Sequence, residues 1–306
     1  MVDAVVVGQI ARDLVLVVDE VPAAGGTTPV RTRRELLGGK GANLAVALAQ
    51  LGTPVAVLGV VGDDEVGTRL LEQAGADRVD VSHVVRRATT GLIVDIVDGA
   101  GHWRYLEDLP ESGLLTEADV ATAQDVLRAA VVTVVQLQQP SAAALAAARY
   151  AREGRDGLVV LDGAPPPDER RTSILDLADV LRTDATEASL VAGRELRTAE
   201  EAVEAAGELL HRHRMSLVAF AVGDGNVFVW DGGQLVLPLV DTDVVDTTGS
   251  GDAFTAALAS TLRRGHEPQT AARFAVAAAA ATVGHPGGRP ELSPDVLREY
   301  LNRVGT

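Results

Sequence analysis

Short runs of valine and leucine alternate with longer stretches rich in alanine and leucine along most of this chain. The short runs predict buried parallel strands at Val5–Gly8, Val55–Val60, Val131–Val135, Leu158–Leu161, Val180–Leu181 and Leu217–Val222. The intervening stretches predict helices at about 41–51, 64–75, 117–129, 141–153, 186–193 and 199–213, and further helices follow at 252–264, 268–283 and 294–304. This alternation predicts an α/β fold with a doubly wound, mainly parallel central sheet flanked by helices.

Two segments, 14–37 and 91–107, do not follow this alternation. The second reads as a β-hairpin, with strands Leu92–Val97 and His102–Glu107 around a glycine-containing turn. Its first strand is apolar on both faces apart from Asp95, so it needs cover from the core or from a second subunit. We therefore expect a homodimer that forms through these strands.

Composition narrows the class of protein. The chain has 306 residues, of which 47% are hydrophobic but only 3% aromatic, so alanine, valine and leucine must fill the core. It contains no cysteine, which excludes disulfides and thiolate metal sites, and no apolar stretch reaches the roughly 20 residues of a membrane span. The net charge of −16 argues against a nucleic acid partner. A cytoplasmic protein is expected.

The segment Asp246-Thr247-Thr248-Gly249-Ser250-Gly251-Asp252 opens an alanine-rich helix. The small residues Gly249, Ser250 and Gly251 let the backbone turn sharply, and the helix N-terminus adds about half a positive charge there, which favours a bound anion. Asp252 lies in the same turn, where it can accept a proton. An anion hole beside a general base is what phosphoryl transfer to a hydroxyl requires. A plain helix cap is the structural alternative.

A second motif, Gly38-Gly39-Lys40-Gly41-Ala42-Asn43, also begins a helix. Lys40 is the only lysine among 27 basic residues. Because arginine replaces lysine everywhere else, a lysine flanked by glycines indicates a site that needs a compact ammonium group. The alternative is a solvated lysine at a helix start.

With these two motifs in this order, the whole chain resembles the ribokinase-like (PfkB-type) sugar kinases. The resemblance implies one kinase domain over residues 1–306, in which the segments at about 14–37 and 91–107 form a small β-sheet lid over the sugar. It also implies ATP as the donor, Mg²⁺ as the cofactor and K⁺ as an activator. Asp252 would act as the base, and Gly249, Ser250 and Gly251 would form the anion hole.

The resemblance further places a sugar site at residues that follow strands or open helices. It would comprise Asp13, Gly39, Lys40, Gly41, Asn43 and Gln138. Two positions depart from the ribokinase pattern, since Ala11 stands where an asparagine is common and Gln138 where a glutamate is common. Both departures weaken the specific case for ribose.

Nucleotide and metal positions are implied in the same way. Nucleotide contacts are expected at Asp184, Gly223, Gly225 and Gly251, and also around Asp224, Asn226 and the loop 284–288. Glu187 would place Mg²⁺ through water, and Asp246 and Thr248 are candidate K⁺ ligands. Asp184 replaces the usual asparagine of an Asn-x-x-Glu element, and Asp184 with Glu187 also reads as a helix capping box. Asp63 and Asp64 are expected to cap the helix that follows them.

These observations predict an ATP-dependent kinase that phosphorylates the hydroxymethyl group of a small sugar. Ribose or another pentose is the first choice, followed by another free sugar, a sugar acid or a nucleoside, and then a sugar phosphate. A silent sugar- or nucleotide-binding sensor is the alternative of another class. A Rossmann oxidoreductase is disfavoured because the turn after the first strand, Gly8–Asp13, lacks the Gly-x-Gly-x-x-Gly pattern.

Overall fold

The computed structural model describes residues 2–100, 102–154, 157–223, 225–284 and 289–304. Its strands are β1 Ala4–Val7, β2 Ala11–Val18, β3 Val30–Gly38, β4 Val55–Leu58, β5 Val60–Val61, β6 Val79–Asp80, β7 Val85–Arg86, β8 Leu92–Val97, β9 Trp103–Asp108, β10 Val132–Gln136, β11 Leu158–Asp162, β12 Val180–Thr183, β13 Leu217–Val222, β14 Gly225–Trp230 and β15 Gly233–Pro238. Its helices are α1 Lys40–Gln50, α2 Glu65–Ala76, α3 Glu117–Thr122, α4 Gln124–Ala129, α5 Ser141–Glu153, α6 Arg171–Leu175, α7 Ala185–Ala192, α8 Ala199–His213, α9 Ser250–Arg263, α10 Pro268–Thr282 and α11 Pro294–Arg303.

The central sheet has nine strands in the order β15-β14-β13-β12-β11-β10-β1-β4-β6. The seven strands from β13 to β6 pair in parallel, whereas β14 and β15 pair antiparallel at one edge. The parallel strands are valine-rich because helices cover both faces of the sheet. The predicted doubly wound, mainly parallel sheet is confirmed.

Two apolar clusters sandwich this sheet. One packs residues of α1, α2, α9, α10 and α11 against one face, and the other packs residues of α3 to α8 against the opposite face. Alanine fills much of both clusters, so the helices lie close to the strands. In the described part of the chain, no helix combines the length and the apolarity that a bilayer span requires.

A separate four-stranded sheet has the order β3-β2-β8-β9, and we call it the small sheet. Its strands coincide with the two segments that interrupt the α/β alternation. The strand β2 pairs with β3 antiparallel and with β8 in parallel, and β8 and β9 form the predicted hairpin. A small β-sheet outside the central sheet is therefore confirmed.

Local details differ from the sequence expectations in several places, and the helix α6 and the two-residue strands β6 and β7 were not expected. The single helix expected at 117–129 is two short helices, because the backbone turns away at Ala123 (φ −103°, ψ 11°). The strands β14 and β15 were not expected either: Val222 of β13 pairs with Gly225 of β14, and Gly223 has a φ of +57°.

The order of the strands places the site. The chain runs from β1 to β4 on one side of β1 and later enters β10 on the other side of β1. The order in which the strands are added therefore reverses between β1 and β10. In a doubly wound sheet the crevice at the carboxyl ends of the strands beside such a switch is where ligands bind. The predicted sugar-site residues Asp13 and Gln138 follow β1 and β10, respectively.

Candidate active site

A cavity of about 450 Å³ lies at the carboxyl ends of the central strands, between the start of α1, the start of α9 and the small sheet. Most of the residues that the sequence assigned to a site line it: Asp13, Gly39, Lys40, Asn43, Gln138, Asp184, Thr248, Gly249, Ser250, Gly251 and Asp252. The fold thus brings together positions separated by more than 200 residues in the sequence.

Other predicted positions lie outside this lining. Gly41 packs against the backbone of Gly8 and Gln9, where a Cβ atom would collide, so its role here is close packing. Gly223 and Gly225 line a different cavity, of about 320 Å³. Asp224 and residues 285–288 lie outside the described residues, so the expected nucleotide contacts there remain predictions.

Asp252 has the burial and the electrostatics of a general base. It is 5% exposed and lies in the first turn of α9, where its carboxylate accepts a hydrogen bond from Asn43 Nδ2 at 3.2 Å. Burial, followed by the nearby Asp162, raises the pKa of Asp252 to about 6, although Lys40 and Arg182 oppose the rise. A base with this pKa is ionised at neutral pH and still takes up a proton readily.

The three residues predicted to form an anion hole lie at the N-terminus of α9. Gly249 precedes the helix with a φ of +71°, a conformation that favours glycine. Ser250 N donates to the carbonyl of Thr247 at 3.3 Å, whereas no acceptor within the described residues pairs with the N–H groups of Gly249 and Gly251. Two of the three predicted donors are therefore available to an anion, beside the positive end of the helix dipole.

Lys40 is the first residue of α1 and follows Gly39, whose φ is +84°. Its ammonium group is close enough to lower the pKa of both Asp252 and Glu187. The only lysine of the chain therefore lies between the candidate base and the candidate Mg²⁺ residue, in the cavity itself.

Burial and neighbouring carboxyl groups favour the protonated form of Asp13. It is 5% exposed, and its pKa is raised to about 8, first by burial and then by the charges of Asp252, Asp95 and Asp246. Asp13 lines the cavity, and its Oδ1 has no hydrogen-bond partner among the described residues. In this form the carboxyl group can both donate to and accept from a sugar hydroxyl.

Gly38 makes room for that carboxyl group. A Cβ atom at Gly38 would overlap the carboxyl atoms of Asp13. The first glycine of the Gly-Gly-Lys-Gly motif is therefore required by a side chain 25 positions earlier in the sequence. Sequence reasoning did not identify this function.

Asp184 and Glu187 form a reciprocal capping box at the start of α7. Asp184 Oδ1 accepts from Glu187 N at 2.8 Å, and Glu187 Oε2 accepts from Asp184 N at 2.9 Å. Burial raises the pKa of Glu187. Each carboxyl group has a second oxygen that these two bonds do not use. The structural alternative is confirmed, and it is compatible with the predicted metal role.

Side chains of the small sheet close one side of the cavity. Trp103 and Tyr105 pack with ring centroids 4.9 Å apart, and both line the cavity together with Ile93 and Glu107. The hydroxyl groups of Tyr105 and Thr248 are hydrogen-bonded, and Thr248 Oγ1 donates to Asp246 Oδ1 at 2.6 Å. This chain of contacts joins the small sheet to the loop before α9.

Sequence reasoning missed four lining residues: Gln9, Ile93, Glu107 and Arg182. Arg182 carried a usable signal, since it is a charged residue at the end of a buried strand, two positions before Asp184. Its contacts are described below.

Comparison with known proteins identifies the family. A family model described as pfkB family carbohydrate kinase matches residues 1–295. The chain belongs to this family. The predicted relationship is therefore confirmed, and the protein is an ATP-dependent kinase that phosphorylates a sugar hydroxyl.

Among the relatives of this pfkB-family kinase, a ribokinase of Bacillus subtilis is 30% identical over 290 residues, covering 93% of this chain and 95% of the relative. An ATP-dependent ribose-1-phosphate kinase of Halopiger xanaduensis is also 30% identical, covering 99% of each chain. In structure, Arabidopsis thaliana ribokinase complexed with ribose and ATP matches with a TM-score of 0.81 and 26% identity, covering 98% of this chain and 99% of the other.

Proposed function

We propose that this enzyme transfers the γ-phosphoryl group of ATP to the hydroxymethyl group of ribose or another pentose. The observation that carries this proposal is the single cavity in which a buried base, two unpaired N–H groups, the only lysine and a protonated Asp13 face one another. The relatives described as ribokinases support the choice of acceptor.

The geometry assigns a role to each group. Asp13, Lys40 and Asn43 hold the acceptor, while the N–H groups of Gly249 and Gly251 hold the phosphoryl oxygens. Asp252 accepts the proton of the hydroxyl as its oxygen bonds to the γ-phosphorus. The bond from that phosphorus to the bridging oxygen breaks, and ADP leaves with the electron pair.

The residues at the start of α7 fit a water-mediated Mg²⁺ site. Asp184 and Glu187 offer the hard carboxylate oxygens that Mg²⁺ prefers. No cluster of three or more histidine, aspartate or glutamate side chains within the described residues could hold a metal ion by itself. Asp184 and Glu187 supply only two carboxylates, which suits an ion that takes its remaining ligands from the nucleotide phosphates and water. When bound, Mg²⁺ neutralises part of the phosphate charge.

The proposed K⁺ ligands fit less well. Thr248 donates to Asp246 Oδ1 through both its backbone N–H, at 2.8 Å, and its hydroxyl, which is also bonded to Tyr105. The Thr248 hydroxyl is therefore already engaged by two side chains. We assign no step to K⁺, and K⁺ activation remains a prediction to be measured.

The charges around the cavity favour a neutral acceptor. Besides the protonated Asp13, three carboxyl groups line it, from Glu107, Asp184 and Asp252, and within the described residues only Lys40 and Arg182 oppose them. The lid arginines that could hold a sugar phosphate do not line the cavity: Arg31 pairs with Asp19, Arg33 with Glu35 and Arg104 with Asp98, and Arg34 is exposed.

The ribose-1-phosphate kinase among the relatives nevertheless makes ribose 1-phosphate a second candidate acceptor. Another free sugar or a nucleoside would also suit a cavity with an aromatic wall, whereas the carboxyl groups of the lining disfavour a sugar acid. A catalytically silent sensor is disfavoured by the intact Asp252 and its loop.

We further propose that the small sheet is a lid within one kinase domain and that two chains pair through it. Its outer residues include Val30 and Leu106, which are 47% and 61% exposed. Apolar side chains of this size on a four-stranded sheet need cover. ATP as the donor and the absence of cysteine fit a cytoplasmic enzyme.

Leu106→Glu should convert a dimer into a monomer in light scattering at micromolar concentration, whereas the equally exposed Leu190→Glu on α7 should not. A monomeric parent protein would refute the pairing.

The activity is tested by measuring ADP release from Mg·ATP, with and without K⁺, against ribose, other pentoses, ribose 1-phosphate, fructose, sugar acids and nucleosides. We expect ribose or another pentose to give the highest kcat/KM. Preference for ribose 1-phosphate would replace the proposed acceptor. Absence of turnover with every acceptor, while ATP still binds in calorimetry, would favour the sensor.

A further inference from the structure

Arg182 is the third of the four residues of β12, and it lines the cavity beside the N-terminus of α9. Its side chain is 12% exposed and lies against Gly251, the second residue of α9. A Cβ atom built on Gly251 would lie 2.7 Å from NH2, 2.9 Å from NH1 and 3.1 Å from Cζ of Arg182. The guanidinium group therefore lies directly over the turn whose N–H groups face the cavity, and only a glycine permits this approach.

Two contacts fix the orientation of this guanidinium group. NH1 donates to Asp162 Oδ1 at 3.2 Å, and Asp162, which is 2% exposed, also accepts from Thr255 Oγ1 at 2.8 Å. On its other side, Cζ of Arg182 lies 5.4 Å from the ring centroid of Phe254. The side chain is thus held in one position before any ligand binds.

Most of its hydrogen-bonding capacity remains unused. A guanidinium group has five N–H donors, and among the described residues only Asp162 accepts one of them. An arginine that served only to neutralise Asp162 would not need to line the cavity, yet Arg182 does. Arginine donors in a fixed fork match the oxygens of a phosphate group.

The overall charge makes such a cation necessary. The net charge of −16 repels nucleotide phosphates, and the cavity itself carries three carboxyl groups besides the protonated Asp13. Lys40 is the other cation in the lining. Placed over Gly251, Arg182 adds positive charge on the side of the anion hole itself, where charge develops on the phosphoryl oxygens.

We propose that Arg182 is a catalytic residue that binds a non-bridging oxygen of the transferred γ-phosphoryl group. This proposal rests on the phosphoryl-transfer function proposed above. As the bond from the acceptor oxygen to phosphorus forms and the bond to the β,γ-bridging oxygen breaks, Arg182 and the N–H groups of Gly249 and Gly251 share the negative charge of that group. Asp162 and Phe254 position the guanidinium group.

Arg182→Gln tests the proposal, with Arg182→Lys and Arg152→Gln as companions. Arg152 is a matched control, since its side chain is 33% exposed and pairs at 2.5 Å with Asp179, which precedes β12 at the end of the strand opposite to the cavity. Arg182→Gln should lower kcat by about 100-fold or more and change the KM of the acceptor by less than about threefold. Arg182→Lys should recover part of the loss, and Arg152→Gln should retain parental kinetics.

Two readouts separate this role from a structural one. By calorimetry with Mg²⁺, Arg182→Gln should lose about tenfold or more in affinity for a non-hydrolysable ATP analogue but less than about threefold for ADP, because only the former carries a γ-phosphate. In Arg182→Gln, the low-pH limb of the kcat/KM profile should also shift to higher pH, because Arg182 lowers the pKa of Asp252 in the parent. A folding defect would instead affect both nucleotides equally.

Equal affinities of parent and Arg182→Gln for the ATP analogue, or a kcat within about threefold of the parent, would overturn the proposal. If the parent enzyme turned over no acceptor, the proposed function would fail, and the two affinities would still decide whether Arg182 binds the γ-phosphate.

Discussion

Replacing Asp252 by asparagine separates the catalytic use of this carboxylate from the cost of burying it. The change keeps the size of the side chain and an oxygen that can accept from Asn43 Nδ2, 3.2 Å away in the parent. It removes the proton acceptor, so kcat should fall by about 100-fold or more while the KM of ATP stays within about threefold. In the parent, kcat/KM should rise with pH through about 6, the raised pKa of Asp252. The variant should lack this limb.

The same substitution should stabilise the fold above pH 6. Burial raises the pKa of Asp252 from 3.8 to about 6, so the folded state holds the ionised form less well than the unfolded state does. Each pH unit between the two values is equivalent to about 1.4 kcal/mol, which gives about 3 kcal/mol in total. This penalty is complete above pH 6 and absent below pH 3.8. In urea unfolding, Asp252→Asn should gain up to about 3 kcal/mol at pH 8 and almost nothing at pH 4.

Asp125→Asn is a suitable control, because Asp125 also lies in the first turn of a helix but its side chain is 95% exposed. It should change stability by less than about 0.5 kcal/mol at either pH and leave kcat unaltered. Turnover by Asp252→Asn above one-tenth of the parent value would refute its role as the base. An equal gain in stability at pH 4 and pH 8 would refute the electrostatic argument.

Three further predictions concern positioning. Asp13→Ala should raise the KM of the acceptor by about 30-fold, with the KM of ATP within about threefold, because a buried hydrogen-bonding carboxyl group is lost; steady-state kinetics with each substrate varied checks this. Gly38→Ala should raise the KM of the acceptor in the same way, since its Cβ would displace Asp13. Gly75→Ala is the control and should leave this KM unchanged, because Gly75 faces open space in α2. An acceptor KM of Gly38→Ala near the parent value would contradict the predicted collision. Asp64→Ala should lower the free energy of unfolding in urea by about 2 kcal/mol, because Asp64 accepts hydrogen bonds from Gly67 N, Thr90 N and Thr90 Oγ1 at 2.7, 2.9 and 2.7 Å. Asp63→Ala is the control and should be tolerated, since the side chain of Asp63 is 79% exposed. Equal losses of stability in the two variants would show that capping is not the cause.

The success of the sequence analysis in locating elements has a local cause. The predicted strand Leu217–Val222 and the predicted helices 141–153 and 199–213 have the bounds found in the structure. In each, a run of apolar residues or a helical repeat is bounded by a residue with a strong local conformational preference. Thr198, for example, caps the N-terminus of α8. The expectation for Asp64 as a cap is confirmed for the same reason, whereas Asp63 makes no cap.

Elements without a strong local signal were missed. The strand β14 pairs antiparallel with β13, and β15 pairs antiparallel with β14. The composition of β14 and β15 does not specify the register of these pairings. The break at Ala123 likewise lies within an unbroken helical repeat. These features depend on neighbours in space rather than on neighbours in sequence.

The sequence by itself determined the family, the order of strands and helices, and the residues of the two glycine-rich motifs. These depend on periodicity and on short runs, which local physics fixes. Only the tertiary structure decided that Asp13 is protonated, that Gly38 makes room for it, and that Arg182 lies over Gly251, 69 positions later in the chain. Burial, the distance between charges and steric room arise only when distant segments pack together, so no pattern within one segment could reveal them.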